Sequence, residues 1–297
     1  MRKWKPALAQ LEFTQMAQYA IDCAPARTIL VEHDVTLDLY AQLLAGGEDW
    51  ETRQQYERWV RFEKNAWGEV DAVVTMSEKD QRAVQGRRVA CLPNGVDLER
   101  FQASGQEPEA GRILFIGSFA HLPNVLAVDF FLREVFPLLQ SRTQQAHLHI
   151  IAGARHQYFL DRYQDRVRPN LPQPGVEVED FVADPRPAYR RATVVVAPLL
   201  ASAGTNIKIM EAMAMGKAVV STPSGVNGLE DLSDGGDVVI AATGPAMARA
   251  IEALLRDPDR RRRIEQRARR TVEQRYGWPA IARWQRELYE SLRASTA

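Results

Sequence analysis

Short β-branched runs alternate with longer helical stretches along nearly the whole chain, and the alternation stops once and starts again. "PALAQLEF", "TQMAQYAIDCA", "TILVEHD", an amphipathic stretch from Asp38 to Trp67 and "DAVVTMS" form a first series. Then "ASGQEPEAG" (103–111), polar and without periodicity, reads as a linker. A second series follows: "RILFIGSF", "NVLAVDFFLREVFPLLQ", "AHLHIIAG", "QYFLDRYQDRV", "VEVEDFV", "PRPAYRRA", "TVVVAPLL" and "DVVIAA". Strands spaced by helices cannot pair as hairpins; they require crossovers and therefore parallel sheets covered on both faces. The chain is predicted to be α/β, with two Rossmann-like doubly wound domains. The first, residues 1–103, holds only four strand candidates and is expected to be incomplete, whereas residues 104–275 hold enough units for a full sheet.

Composition narrows what such a chain can meet. Its 297 residues carry 38 Lys plus Arg against 38 Asp plus Glu, so no bulk charge draws it to nucleic acid or anionic lipid. Cys23 and Cys91 lie far apart with no CxxC, which suggests neither a disulfide framework nor zinc. The "HLH" pair, His147 and His149, shares a strand face with no third ligand nearby in sequence, and no metal is expected. No apolar run reaches the roughly 20 residues of a membrane span. A cytoplasmic protein is expected, with peripheral contact to the inner face of a membrane left open. The basic helix "RDPDRRRRIEQRARRTVEQR" reads as a solvated face.

The segment "GTNIKIMEAMAMGKAVVST" (204–222) carries the chemistry. It is a turn, a helix and a strand, and it places Lys208 and Glu211 three residues apart on one helical face. On a wet surface the two would form an ion pair worth little. At the carboxyl edge of a parallel sheet they would do more, because a helix N-terminus there offers unpaired N–H groups to an anion. Gly204 would let backbone approach closely, Thr205 and Asn206 can cap the helix, and Lys208 adds a full charge. Glu211, a turn further on, suits a vicinal diol such as a ribose. The set describes a nucleoside diphosphate site; a capped helix with an exposed ion pair is the competing reading.

Four motifs in order, "PNGVDLERF" (93–101), "ILFIGSFAHLPN" (113–124), "VVVAPLLASAGTNIKIMEAMAMGKAVVST" (194–222) and "GVNGL" (225–229), resemble the donor half of family 4 glycosyltransferases, retaining enzymes of the GT-B fold. The resemblance implies that Glu211 holds the ribose hydroxyls and that Lys208 with Gly204, Thr205 and Asn206 holds the diphosphate. It places Gly117 and Ser118 on the diphosphate's other side, Phe181 and Val182 beside the nucleobase, and His33, from "VEHD", facing the donor sugar. Lys208, Glu211 and His33 are thus the catalytic candidates, the donor is a UDP- or GDP-linked sugar, and no cofactor or metal is implied. The acceptor would be a polysaccharide or lipid-linked glycan. Residues 276–297 would form a helix returning to the first domain.

The departures are specific. The first glutamate of the family's Glu-x7-Glu falls on Ala203, and its usual Arg and Lys fall on Ser118 and Pro123, leaving Lys208 as the main charge on the leaving group. The front of the first domain is missing, so the chain reads as N-terminally truncated, with self-association through the incomplete sheet expected. A nucleotide-binding module without transferase activity is the alternative. A dehydrogenase is disfavoured, since no strand leads into GxGxxG.

Overall fold

The computed structural model describes residues 5–47, 49–143, 145–202 and 204–294; Ala203 lies outside them. Two all-parallel sheets organise the chain. The first has four strands in sequential order: β1 (Leu8–Glu12), β2 (Arg27–Glu32), β3 (Ala72–Thr75) and β4 (Val89–Cys91). The second has six, β5 (Arg112–Ile116), β6 (His147–Ile151), β7 (Val176–Glu179), β8 (Val194–Ala197), β9 (Ala218–Ser221) and β10 (Val239–Ile240), ordered β10-β9-β8-β5-β6-β7. The chain runs outward from β5 to β7, then returns to β5's other side with β8. In open α/β sheets such a reversal is where the ligand crevice forms, here at the carboxyl ends of β5 and β8.

The helices follow in chain order: α1 (Thr36–Ala45), α2 (Trp50–Glu69), α3 (Glu78–Ala83), α4 (Leu122–Phe130), α5 (Phe136–Arg142), α6 (His156–Tyr163), α7 (Arg186–Arg191), α8 (Ile207–Ala214), α9 (Gly244–Arg256), α10 (Pro258–Arg275) and α11 (Trp278–Ala294). Alternate residues of the second sheet feed two cores. Ile113, Phe115, Ile150, Val194 and Val220 pack against α4, α5 and α9. Leu114, Ile151, Val195 and Val219 pack against α7, α8 and α10. In the first sheet Leu30 and Val73 meet Trp67 of α2. On its opposite face Ile29, Val31 and Val74 receive Leu288 and Leu292 of α11.

Three elements differ from their sequence readings. "TQMAQYAIDC" forms a 3-10 stretch, Thr14–Cys23, with only Thr14, Ala17, Ala20 and Cys23 buried. That three-residue repeat favours the tighter winding. The stretch from Asp38 to Trp67 is two helices. Gly46 closes α1 by donating to Gln42 and Leu43 carbonyls, and Asp49 caps α2 by accepting from the Thr52 N–H at 2.8 Å. The helix over 124–140 is interrupted by a π-turn, Phe131–Val135, just before Pro137. Proline has no N–H and its ring crowds the carbonyl four residues back, so the backbone widens there.

The two sheets are joined at the site's edge. Gln42 and Ser202 exchange two hydrogen bonds, at 3.0 and 3.1 Å, and Thr205 Oγ1 donates to Met76 O at 3.1 Å. Gly204, at φ 59°, is pressed against the end of the first sheet: a Cβ there would collide with Asp34 Oδ1 and lie 2.5 Å from His33 O.

Candidate donor site at the strand crossover

The β5–β8 crevice is built around Lys208. Beyond β5 comes Gly117, where a Cβ would lie 2.7 Å from Asn124 Oδ1 and 3.0 Å from Lys208 Nζ. Glycine is therefore what lets both groups sit over the strand end. Lys208 Nζ donates to Asn124 Oδ1 at 2.8 Å, Asn124 Nδ2 donates to Ser118 O at 2.8 Å, and the ammonium stands 5.1 Å from the Phe115 ring centroid. Among the described residues no carboxylate lies within 4.0 Å of it. Burial pulls the Lys208 pKa down to about 8, and the charge of Glu211 only partly restores it. This is a cation with a fixed position and no counter-ion.

Glu211 is not the partner that a surface ion pair would require. It accepts from Tyr189 Oη at 2.9 Å, and Tyr189 is fully buried beneath it. Burial raises the Glu211 pKa against the pull of Tyr189, Arg100 and Lys208. The competing reading of a solvated ion pair on a capped helix therefore does not describe this segment.

The capping expectation is corrected too. Among the described residues no side chain caps α8. Thr205 is committed to Met76 O, while Asn206 Nδ2 donates to Ser202 Oγ at 2.9 Å and Gly225 O at 2.6 Å. Those bonds hold the turn in shape from outside, and they leave the first N–H groups of α8 without side-chain acceptors, the condition for anion binding at a helix start. Ser118 lines the opposite wall, packed on Gly153, whose φ of 79° and close approach (2.9 Å from a notional Cβ to Ser118 Oγ) again exclude a side chain.

The remaining candidates are placed more loosely. Phe181 and Val182 follow β7; Phe181 is 69% exposed, and Val182 packs on the α8 side of the sheet. Their strand end is three positions from that of β8, roughly 14 Å at the usual strand spacing. His33 comes to the site through its backbone, against Gly204. Its imidazole turns instead to Glu12 Oε2 at 2.7 Å and lies 4.3 Å from the Phe13 ring at a tilt of 35°, lining a cavity of about 180 Å³ with Asn94 and Trp278. Asn124, Tyr189 and Asp34 were not picked out by sequence. Asn124 ends the "ILFIGSFAHLPN" motif and is the first polar side chain after the two positions where basic residues are missing, a usable signal. Tyr189 lies 22 residues from Glu211 and gave none.

The two parallel sheets, the second with its strand order reversed at β5 and β8, define a two-domain, doubly wound α/β class. Comparisons narrow it. Residues 110–257 match the family model described as "Glycosyl transferases group 1". The lipopolysaccharide core biosynthesis mannosyltransferase LpcC of Rhizobium leguminosarum bv. viciae is 30% identical over 205 residues, 64% of this chain and 55% of that protein. The phosphatidyl-myo-inositol mannosyltransferase of Mycolicibacterium smegmatis is 28% identical over 227 residues, 74% of this chain and 56% of that protein. The chain thus spans about half the length of the curated relatives it matches. Among solved structures, sucrose-phosphate synthase from Thermosynechococcus elongatus superimposes with TM-score 0.78 at 19% identity over 99% of this chain and 75% of that one. HepE from Anabaena, solved in complex with UDP and glucose, gives 0.73 at 16% identity over 96% and 78%. Residues 110–257 thus match the group 1 glycosyltransferases, and the chain has the GT-B fold. No helix of the described residues is long and apolar enough to cross a membrane.

Proposed function

We propose that this chain transfers a hexosyl group from a UDP- or GDP-linked sugar to a glycan or lipid-linked acceptor, with retention at the anomeric carbon. The observation that carries the reading is Lys208, an ammonium without a counter-ion at the start of an uncapped helix, where a diphosphate would supply the missing charge. Residues 104–275 form the donor half and 1–103 the acceptor side, with 276–297 bracing the two. The diphosphate lies between Lys208, the backbone of Gly204–Asn206, Gly117 and Ser118; the ribose meets Glu211; the nucleobase extends toward Phe181 and Val182; the sugar faces His33. The names of the relatives support a hexose and a lipid-linked acceptor, and the UDP in HepE supports a nucleoside diphosphate leaving group. Such an acceptor would bring the protein to the cytoplasmic face of a membrane as a peripheral contact.

Catalysis on this reading comes from positioning and charge. As the bond between the anomeric carbon and the diphosphate breaks, its electrons move onto the leaving oxygen, where Lys208 and the α8 N-terminus already point. The test is titration with UDP and GDP followed by a transfer assay with each nucleotide's sugars, reading product configuration by proton NMR. Binding with transfer and retained configuration supports the proposal. Binding without transfer would leave a nucleotide-binding module, and absence of binding by a folded chain would remove the reading altogether.

A further inference from the structure

The edge of the second sheet carries a second cluster, far along the β7 side from the β5–β8 crevice. His149 of β6 is paired in register with Glu177 of β7, and Glu179 follows two residues on, so all three side chains leave the same face. His149 is only 1% exposed, yet neither of its ring nitrogens has a hydrogen-bond partner. Its Nε2 instead stands 3.6 Å from Glu179 Oε2 and 4.0 Å from Glu177 Oε1, and the three ligand atoms lie within 4.8 Å of one another. Ligand atoms around a tetrahedral zinc with bonds near 2.0–2.1 Å are roughly 3.4 Å apart. The two carboxylates are substantially exposed at their outer ends and are free to close that small difference.

The surroundings are arranged as a support for such a site. Arg112, itself buried, donates from Nη2 to Glu177 Oε2 at 2.8 Å and from Nη1 to Glu109 Oε2 at 3.1 Å. This orients Glu177 while leaving its Oε1 free toward His149, the outer-shell role that ligating carboxylates usually receive. Arg112 pairs with Glu109 and Glu177, Arg191 pairs with Glu109, and Glu179 faces His149, so three carboxylates stand against two guanidiniums in the cluster. His147 is not part of the set: its Nε2 faces Arg112 and its Nδ1 faces Gln145 O. The "HLH" pair thus gains two ligands only through β7, which lies about thirty residues further along.

We infer that His149, Glu177 and Glu179 form a binding site for a divalent transition metal ion of the zinc class, with a fourth position open to water. Imidazole with two carboxylates suits Zn²⁺ over the all-oxygen preference of Mg²⁺ or Ca²⁺. The ion would rivet edge strand β7 to β6 two residues before Phe181, holding the loop to which the proposed function assigns the nucleobase. The metal site itself does not depend on that assignment.

The test uses the full chain after chelator treatment. Zn²⁺ is titrated by calorimetry, and Co²⁺ by the visible absorption bands of a low-coordinate N/O site, in wild type, Glu179→Gln and His149→Asn. Glu179→Gln changes a half-exposed side chain and keeps the fold, which circular dichroism verifies. One Zn²⁺ per chain, bound at least tenfold more weakly in both variants, with the Co²⁺ bands lost, is the expected result. No saturable binding by the wild type, or equal affinity in wild type and Glu179→Gln, overturns the inference, the latter placing any ion elsewhere on the surface.

Discussion

Replacing Lys208 by alanine removes the positive side-chain charge at the centre of the proposed donor site, so the expected loss follows from the local geometry. A unit charge about 4 Å from an anion contributes about 4 kcal/mol at an effective dielectric near 20. Lys208 is half-buried, so screening reduces that figure toward the roughly 1.5–3 kcal/mol of a hydrogen bond to a charged group. At 1.4 kcal/mol per decade, UDP or GDP should bind about 10- to 150-fold more weakly to Lys208→Ala. Calorimetric titration reads this directly. Folding should not suffer, because a desolvated ammonium whose pKa is held near 8 is costly to bury; the melting temperature of the variant should equal or exceed that of the wild type. A nucleotide affinity within threefold of wild type in a folded Lys208→Ala protein would refute the assignment of the diphosphate to this helix.

The pH dependence should carry the same signature: Lys208 is protonated below about 8, so nucleotide affinity falls as pH rises through 8, and the fall disappears in Lys208→Ala. Glu211→Gln should weaken UDP by about tenfold, or 1.4 kcal/mol, and leave inorganic pyrophosphate unaffected, since only the ribose is assigned to it; equal losses for both ligands would contradict that division. Gly204→Ala forces a left-handed residue with a side chain into Asp34, at a backbone cost of about 1–2 kcal/mol before any displacement, and should lower both the melting temperature and UDP affinity. Glu32, 1% exposed and accepting from Thr14 Oγ1 and Trp67 Nε1, has its pKa raised to about 7 by burial. A raised carboxyl pKa means the folded state holds the extra proton, so this contribution to stability is present below about 4.5 and is lost as pH rises through 7. Denaturant titrations across that window should show the slope in wild type and a flatter one in Glu32→Gln.

The sheet architecture was legible because parallel strands buried on both faces must be apolar throughout, and runs such as "RILFIGSF" and "TVVVAPLL" can hardly be anything else. The division of the strands into two series, which form two separate sheets, was readable from the stretch without periodicity between them. Lys208 and Glu211 stood out because their helix begins with glycine and polar residues just beyond a strand. What stayed hidden was set by contacts distant in sequence. Thr205 and Asn206 have the chemistry of caps, yet their partners, Met76 O and Gly225 O, are supplied by the other sheet and a later loop. The isolated look of His149 had the same origin, because the register between β6 and β7 that brings Glu177 opposite it is a tertiary fact. The π-turn before Pro137 was within reach of sequence, since proline inside a helical pattern announces a fault in the hydrogen-bond ladder.

The decisive experiment is a structure of the chain crystallised with UDP. The diphosphate should lie within hydrogen-bond distance of Lys208 Nζ and the first backbone N–H groups of α8, with the ribose hydroxyls on Glu211. Nucleotide bound elsewhere, with Lys208 still held by Asn124 alone, would contradict that placement.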